Sequence, residues 1–155
     1  MRSAALSVDP APREGLSCLG CAHLGACMPA PAATAGARTI RLVARREMLL
    51  RHAPLVVAGD GFAAVYGLRS GLLKSTLKTG PAAGLVTGIF FPGDVAGLDG
   101  IAWGHHPTEL LAVTDAEICT IPFARLETLA RRSPRAQRHL HRLLSREIAQ
   151  AYGVS

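Results

Sequence analysis

Short runs of β-favouring apolar residues, separated by Gly, Pro and Asp, fill the chain between Thr39 and Pro122. Two of the separating segments are Arg69-Ser70-Gly71 and Pro92-Gly93-Asp94. Many short strands at nearly regular spacing are typical of an antiparallel sandwich or barrel. The predicted strands are Ile40–Val43, Leu55–Val57, Ala64–Leu68, Leu72–Leu77, Leu85–Phe91, Leu110–Val113 and Ala116–Ile121. Residues 45–52 have a helix-forming composition, so one turn of helix is the alternative there.

After Pro122 the apolar residues recur every three or four positions, which indicates helices. A first helix is predicted over Phe123–Ala130. Ser133 suits the N-cap of a second helix and Pro134 its first position, and this helix is predicted to run to about Ala151.

The second helix carries two apolar stripes. The first consists of Ala136, Leu140 and Leu143. The second consists of Gln137, His141, Leu144, Ile148 and Ala151, at alternating spacings of four and three that are typical of a coiled-coil seam. We expect the first stripe to pack on the β domain and the second on another copy of the chain. The alternative is a single wide stripe that faces the core.

Composition and charge indicate one globular domain. The 155 residues are 49% hydrophobic and 18% charged, which excludes a disordered chain. No apolar run is long enough to cross a bilayer, and residues 1–17 lack the apolar core of a secretory signal, so a cytoplasmic location is expected. The formal net charge is +6, with many arginines near the C-terminus, and we interpret these as a solvated helix face.

Three of the four cysteines lie in one short segment, and the fourth is far downstream. Cys18 and Cys21 are separated by two residues, Cys21 and Cys27 by five, and Cys119 is the distant one. Such a set can complete a four-ligand site, which iron–sulfur clusters and structural zinc both accept. Disulfides or separate buried thiols are the alternatives, but this spacing in an intracellular protein favours metal or redox chemistry. We predict that the site ties the N-terminal arm to the fold. His23 could substitute as a ligand, but we expect it to be solvent-exposed, because the four cysteines already complete a set.

Five segments in order, together with these thiols, resemble the sensory half of an FNR-type regulator of the CRP/FNR superfamily. The segments are Cys18–Cys27, Val65–Ser75, Thr87–Asp94, Gly104–Pro107 and Ile118–Phe123. The resemblance implies a mainly β fold, a cyclic-nucleotide-binding-like jelly-roll barrel, followed by a long C-terminal dimerisation helix. It also implies a 4Fe–4S cluster on the four cysteines that controls homodimer formation, and thereby DNA binding, in response to oxygen or redox state.

The resemblance further implies a domain organisation: an arm with the cysteine loop at 1–37, a jelly-roll sensory domain at 38–132 and a dimerisation helix at 133–155. Family members bind DNA through a winged helix-turn-helix domain that follows this helix. The printed sequence ends at Ser155 without one, so DNA contact is expected only through such a domain.

Two departures from the family change the expected ligand and the expected dimer. The segment from Pro92 to Ala112 contains no arginine to bind a cyclic phosphate, so cyclic AMP is not an expected ligand. Ala151 stands where some FNR proteins have an acidic residue in the seam. Since like charges oppose association, we expect this chain to dimerise more readily than an acid-bearing relative.

The leading hypothesis is therefore an oxygen- or redox-sensing effector domain with an iron–sulfur cluster. The alternative is a dimerisation module of the same fold, stapled by zinc or binding a small ligand, without redox sensing. An enzyme is not expected, because the sequence contains no nucleophile–base arrangement and no phosphate-binding glycine loop.

Overall fold

The computed structural model describes Cys21, Cys27 and residues 42–153, and the remaining positions, including Cys18 and His23, lie outside the described residues. The strands are β1 (Arg45–Leu49), β2 (Pro54–Val56), β3 (Ala64–Ser70), β4 (Leu73–Leu77), β5 (Leu85–Phe90), β6 (Val95–Ala96), β7 (Glu109–Ala112) and β8 (Ala116–Pro122). A 3₁₀ turn spans Leu98–Gly100, and two helices follow the strands: α1 (Phe123–Arg132) and α2 (Pro134–Ala151).

The strands form two four-stranded sheets that pack against each other. The first has the order β1-β8-β3-β6 and the second the order β2-β7-β4-β5, with antiparallel pairing throughout. This confirms the predicted mainly β jelly roll with C-terminal helices. It also corrects one detail, because the described strands make two separate sheets rather than a closed barrel.

The first sheet is buried on both faces. Side chains alternate between the two faces of a strand, so β3 and β8 each contribute to two cores. Leu68 and Ile118 point towards the second sheet and form the inner core with residues of that sheet. Val65 and Ile121 point the other way and form the outer core, which α1 and α2 cover. A sheet covered in this way needs both the second sheet and the helices to keep its apolar residues from water.

The predicted start of the β region is wrong. Leu42 and Val43 are buried in the outer core but belong to no strand, and Ile40 lies outside the described residues. The first strand is β1, within the segment 45–52 for which composition allows a helical turn. β1 pairs with β8 along its whole length, from Arg45 opposite Thr120 onwards. Pairing with a central strand therefore overrides the local helix preference.

The other predicted strands correspond to β2, β3, β4, β5, β7 and β8, with ends that differ by one or two residues. The sequence analysis missed β6, because a two-residue strand is too short to show an alternating pattern.

Both predicted helices are confirmed. The Oγ of Ser133 accepts a hydrogen bond from the backbone N–H of Ala136 at 3.2 Å, and Pro134 occupies the first helical turn of α2. Leu126 of α1 and Leu143 of α2 are buried in the outer core. No helix in the described part of the chain combines the length and the apolar character that crossing a membrane requires.

The N-cap of α2 gives a first prediction. Ser133→Ala removes the side-chain oxygen that accepts from Ala136, so we expect the free energy of unfolding to fall by about 1 kcal/mol. Urea unfolding followed by circular dichroism measures this change. Ser145→Ala is the matched control, because Ser145 is an exposed interior residue of the same helix and its replacement should be neutral or slightly stabilising. Equal effects of the two substitutions would contradict the capping role.

Candidate cysteine site

Cys119 lies in the middle of β8 and is only 6% exposed. Directly opposite it stand Arg46 on β1 and Gly67 on β3. Opposite residues of antiparallel strands present their side chains on the same face, so Cys119 has a guanidinium group on one side and no side chain on the other. The guanidinium group of Arg46 acts to lower the pKa of the Cys119 thiol.

The missing side chain at Gly67 provides the space in which Cys27 lies. A Cβ atom added at Gly67 would be 2.6 Å from the Sγ of Cys27 and 3.7 Å from the Cβ of Cys119. The shorter distance is less than nonbonded atoms tolerate, so any side chain at this position would displace Cys27. Cys27 also packs against the outer core, to which Cys119 belongs. Two predicted ligands from distant parts of the sequence therefore meet over one glycine.

Cys21 approaches the same sheet beside β3. Its thiol acts on the pKa of Arg69, and Arg69 also forms an ion pair with Glu117 at 2.6 Å. Burial alone would lower the pKa of Arg69, but Glu117 and Cys21 outweigh it and raise that pKa. Burial raises the pKa of the Cys119 thiol, whereas the positive charges of Arg46 and Arg69 act in the opposite direction. Positive charges beside thiols favour the thiolate, which is the form that binds metals.

The structure thus brings together part of the predicted ligand set. Cys27 and Cys119 share one space, Cys21 lies close enough to affect the titration of Cys119, and Cys18 lies outside the described residues. Within Cys21, Cys27 and residues 42–153, no group of three or more Cys, His, Asp or Glu side chains is arranged to hold a metal ion. The thiols and the space over Gly67 fit a thiolate-bound group in donor type and location. The four-cysteine site itself stays a prediction.

Helix α2 reaches this region through His139, which is 8% exposed. Its Nε2 atom is 3.2 Å from the backbone carbonyl oxygen of Cys27, and since a carbonyl only accepts, the ring N–H is the donor. Burial lowers the pKa of His139, and the Cys27 carbonyl acts against that effect, while Arg146 and Arg142 lower the pKa further.

The sequence analysis did not identify His139, Gly67 or Arg46. His139 follows Ala136 by three positions and precedes Leu143 by four, so its place on the core-facing stripe was the available signal. A glycine inside a strand pattern is also a recognised sign that another group approaches the backbone closely.

The two stripes of α2 lie in different environments. In the first stripe, Ala136 and Leu143 are buried and Leu140 is half-buried. The second stripe is largely open to solvent: Gln137, His141, Ile148 and Ala151 are exposed and Leu144 is half-buried, with Ile148 60% exposed. Leu144, Ile148 and Ala151 also line a cavity between α2 and strands β4 and β5, so this end of the second stripe faces the β domain as well as solvent, and the single wide stripe stays an alternative. A contact between two copies along the second stripe stays a prediction.

A cavity of about 440 Å³ separates α2 from β4 and β5. Among the described residues its lining is mainly apolar, contains the carboxyl groups of Asp99 and Glu147, and includes no Lys or Arg. Two carboxyl groups without a compensating base oppose the entry of a phosphate. The lining therefore supports the expectation that cyclic AMP is not a ligand, which stays a prediction.

Glu147 is the unusual group in this cavity. Its Oε2 atom is buried and has no hydrogen-bond partner among the described residues. Burial, together with the charge of Asp99, raises the pKa of Glu147 from 4.5 to about 7. Burial also acts to raise the pKa of Asp99, but hydrogen bonds to His106 and Thr108 lower it overall. The two carboxyl groups therefore titrate in different pH ranges.

No family model matches the chain, but individual proteins do. It is 37% identical over 107 residues to the transcriptional activator protein Anr of Pseudomonas protegens, which covers 69% of this chain and 44% of that protein. It is 34% identical over 107 residues to the fumarate and nitrate reduction regulatory protein of Escherichia coli, covering 69% of this chain and 43% of that protein. The chain therefore spans less than half the length of these relatives. Both relatives are named as regulators, which confirms the expectation that the chain is not an enzyme.

Solved structures share the fold. FixK2 from Bradyrhizobium japonicum superposes with a TM-score of 0.66 at 20% identity, over 72% of this chain and 56% of that one. The catabolite activator protein of Thermus thermophilus gives a TM-score of 0.60 at 23% identity, over 69% of this chain and 51% of that one.

The raised pKa of Glu147 gives a second prediction. The unfolded chain ionises this group near pH 4.5 and the folded chain near pH 7, so stability falls as the pH rises through this window and stays low above it. The expected loss is about 3 kcal/mol. Glu147→Gln should match the wild type at pH 4.5 and be more stable by up to this amount at pH 8, as measured by urea unfolding at fixed protein concentration.

Glu127→Gln, at an exposed ion pair, is the control and should show no such difference. Parallel curves for wild type and Glu147→Gln would contradict the prediction.

Proposed function

This chain belongs to the CRP/FNR family, in its FNR-type branch, and we propose that it is the oxygen- or redox-sensing part of a transcription regulator. In this proposal Cys18, Cys21, Cys27 and Cys119 bind a 4Fe–4S cluster. The observation that supports it most directly is the position of Cys27 over Gly67, beside Cys119. The bound group would supply a redox-sensitive covalent link between the arm and β8.

The residues of the chain contribute three things to such a site. Gly67 leaves room for two thiols on one face of the sheet. Arg46 and Arg69 place positive charge beside Cys119 and Cys21, which offsets the negative charge of thiolates. The outer core surrounds Cys119 with apolar side chains and limits the access of water.

Ligand binding by the arm would also stabilise the packing beneath α2. Binding at a site that the unfolded chain does not form adds its free energy to folding, so the arm is held in place only while the thiolates are bound. Release of Cys27 would leave a gap over Gly67 and remove the carbonyl partner of His139. Occupancy of the cysteine site would thereby affect the packing of α2, the helix that carries the second stripe.

The proposal extends to organisation and partners. It comprises an arm at 1–37, a jelly-roll sensory domain at 38–132 and a dimerisation helix at 133–155. The regulator would act as a cytoplasmic homodimer and bind DNA through a winged helix-turn-helix domain, for which the relatives have the additional length. The proposed dimer contact is formed by Gln137, His141, Leu144, Ile148 and Ala151.

The cluster is tested on anaerobically prepared protein. We expect a broad thiolate-to-iron absorption band, with iron and sulfide in matching amounts, that air bleaches and that Cys119→Ser abolishes. Stoichiometric zinc in a colourless protein would instead identify the zinc-stapled alternative. A protein that binds neither metal and resists reconstitution would contradict both.

Two glycine variants separate site geometry from general destabilisation. Gly67→Ala places a methyl group against the thiol of Cys27 and should lower cluster content at least about tenfold, since a displaced ligand weakens metal sites strongly. Gly61→Ala is the control, because nothing lies within 4 Å of a Cβ at that position. Equal cluster content in the two variants would count against the site over Gly67.

The dimer contact gives a further prediction. Ile148→Glu changes a side chain that is 60% exposed, so the fold should tolerate it, but in a symmetric dimer it brings two like charges together. We expect the dimer dissociation constant to rise at least about tenfold in analytical ultracentrifugation. Arg132→Glu, at an exposed position on α1 and outside both stripes, should have a much smaller effect.

The same ultracentrifugation run tests the role of Ala151. Cluster-free wild-type protein should show measurable dimer, because Ala151 adds no like charge to the contact. A cluster-free protein that remains monomeric at all accessible concentrations would contradict this expectation.

A further inference from the structure

The hydrogen bond between His139 and Cys27 connects the arm to helix α2. The two residues are 112 positions apart, and the contact joins the Nε2–H of a buried ring to a backbone carbonyl oxygen. It depends on where the peptide of Cys27 lies rather than on the Cys27 side chain. A shift of the Cys27 backbone or of helix α2 would therefore change this hydrogen bond.

Burial makes this interaction sensitive to small displacements. His139 is 8% exposed, so its N–H cannot exchange the Cys27 carbonyl for bulk water without a rearrangement of α2. Cys27 packs closely over Gly67, because its Sγ lies only 2.6 Å from the position that a Cβ atom of residue 67 would take. If Cys27 is displaced, the buried N–H of His139 therefore loses its acceptor. Helix α2 must then move before this N–H can reach water.

The geometry of the helix transmits such a movement to the second stripe. At about 100° per residue, His139 lies on the side of α2 that faces Cys27, roughly opposite Gln137 and His141. Those two residues flank it in sequence and begin the exposed stripe. If α2 rotates or shifts as a rigid body so that His139 regains a hydrogen-bond partner, the second stripe on the opposite side of the helix must also change its orientation.

We propose that His139 is the positioning residue that couples occupancy of the cysteine site to dimer formation, through its bond to the Cys27 carbonyl. The inference rests on the proposed function for its trigger. The link itself, between the position of Cys27 and the dimer contact on α2, exists whether or not a cluster is the ligand. Since coupling is reciprocal, dimer formation must hold Cys27 in place as strongly as a held Cys27 favours the dimer.

The coupling is measured as the ratio of dimer dissociation constants without and with the reconstituted cluster. We expect this ratio to be about tenfold or more in the wild type, which is the ordinary range of coupling between sites. His139→Leu, which keeps the apolar bulk but has no donor, should bring the ratio close to one. His139→Gln, which retains an N–H donor, should preserve most of it. A wild-type ratio in His139→Leu would overturn the proposal, because a residue that only stabilises the fold would shift both constants together.

A second measurement needs no cluster. The alkylation rate of Cys27 in metal-free protein, followed by mass spectrometry of its peptide, is compared at concentrations that favour monomer and dimer. Dimer formation should slow alkylation of Cys27 in the wild type and in His139→Gln, but not in His139→Leu. Absence of this protection in the wild type would overturn the inference whatever the metal content. Protection in a protein that binds no cluster would contradict the proposed function and leave the link through His139 intact.

Discussion

The packing of the Cys27 thiol over Gly67 is the contact on which both the proposed site and its link to α2 depend. That sheet has apolar residues on both faces, and the second sheet covers only one of them. The helices cover much of the other, but near Cys119 this face is also contacted by Cys27. Cys27 therefore packs against the outer core in addition to being a proposed ligand.

Helix α2 lies between two polar environments of opposite character. On the cysteine side, Arg46 and Arg69 stand beside thiols and favour negative charge. On the cavity side, Asp99 and Glu147 oppose negative charge, and burial keeps Glu147 protonated up to about pH 7. This arrangement is compatible with thiolates on one side of the helix and unfavourable for a phosphate on the other. The charges of the described residues thus agree with cysteine chemistry rather than nucleotide binding.

Local patterns in the sequence predict most of the fold, because the alternation in β3 and β8 and the cap at Ser133 are local signals. They misplace the first strand, since Leu42 and Val43 are apolar for a packing reason unrelated to strand pairing. The spacing of the cysteines likewise indicates which thiols belong together. The spacing cannot show what surrounds these thiols, because the contact between His139 and Cys27 joins residues that are distant in sequence. The burial of Glu147 likewise depends on partners that only the three-dimensional structure brings together.

Gly67 also restricts the order in which this chain can change by mutation. Every substitution at this position adds a Cβ atom 2.6 Å from the present position of the Cys27 Sγ, so Cys27 has to shift to accommodate it. Loss of the Cys27 thiol would remove this close contact, so position 67 would accept a side chain more readily in a variant that has given up the site. The residue at this single position in the middle of a strand therefore indicates whether Cys27 of a given variant can still pack against the sheet as it does here.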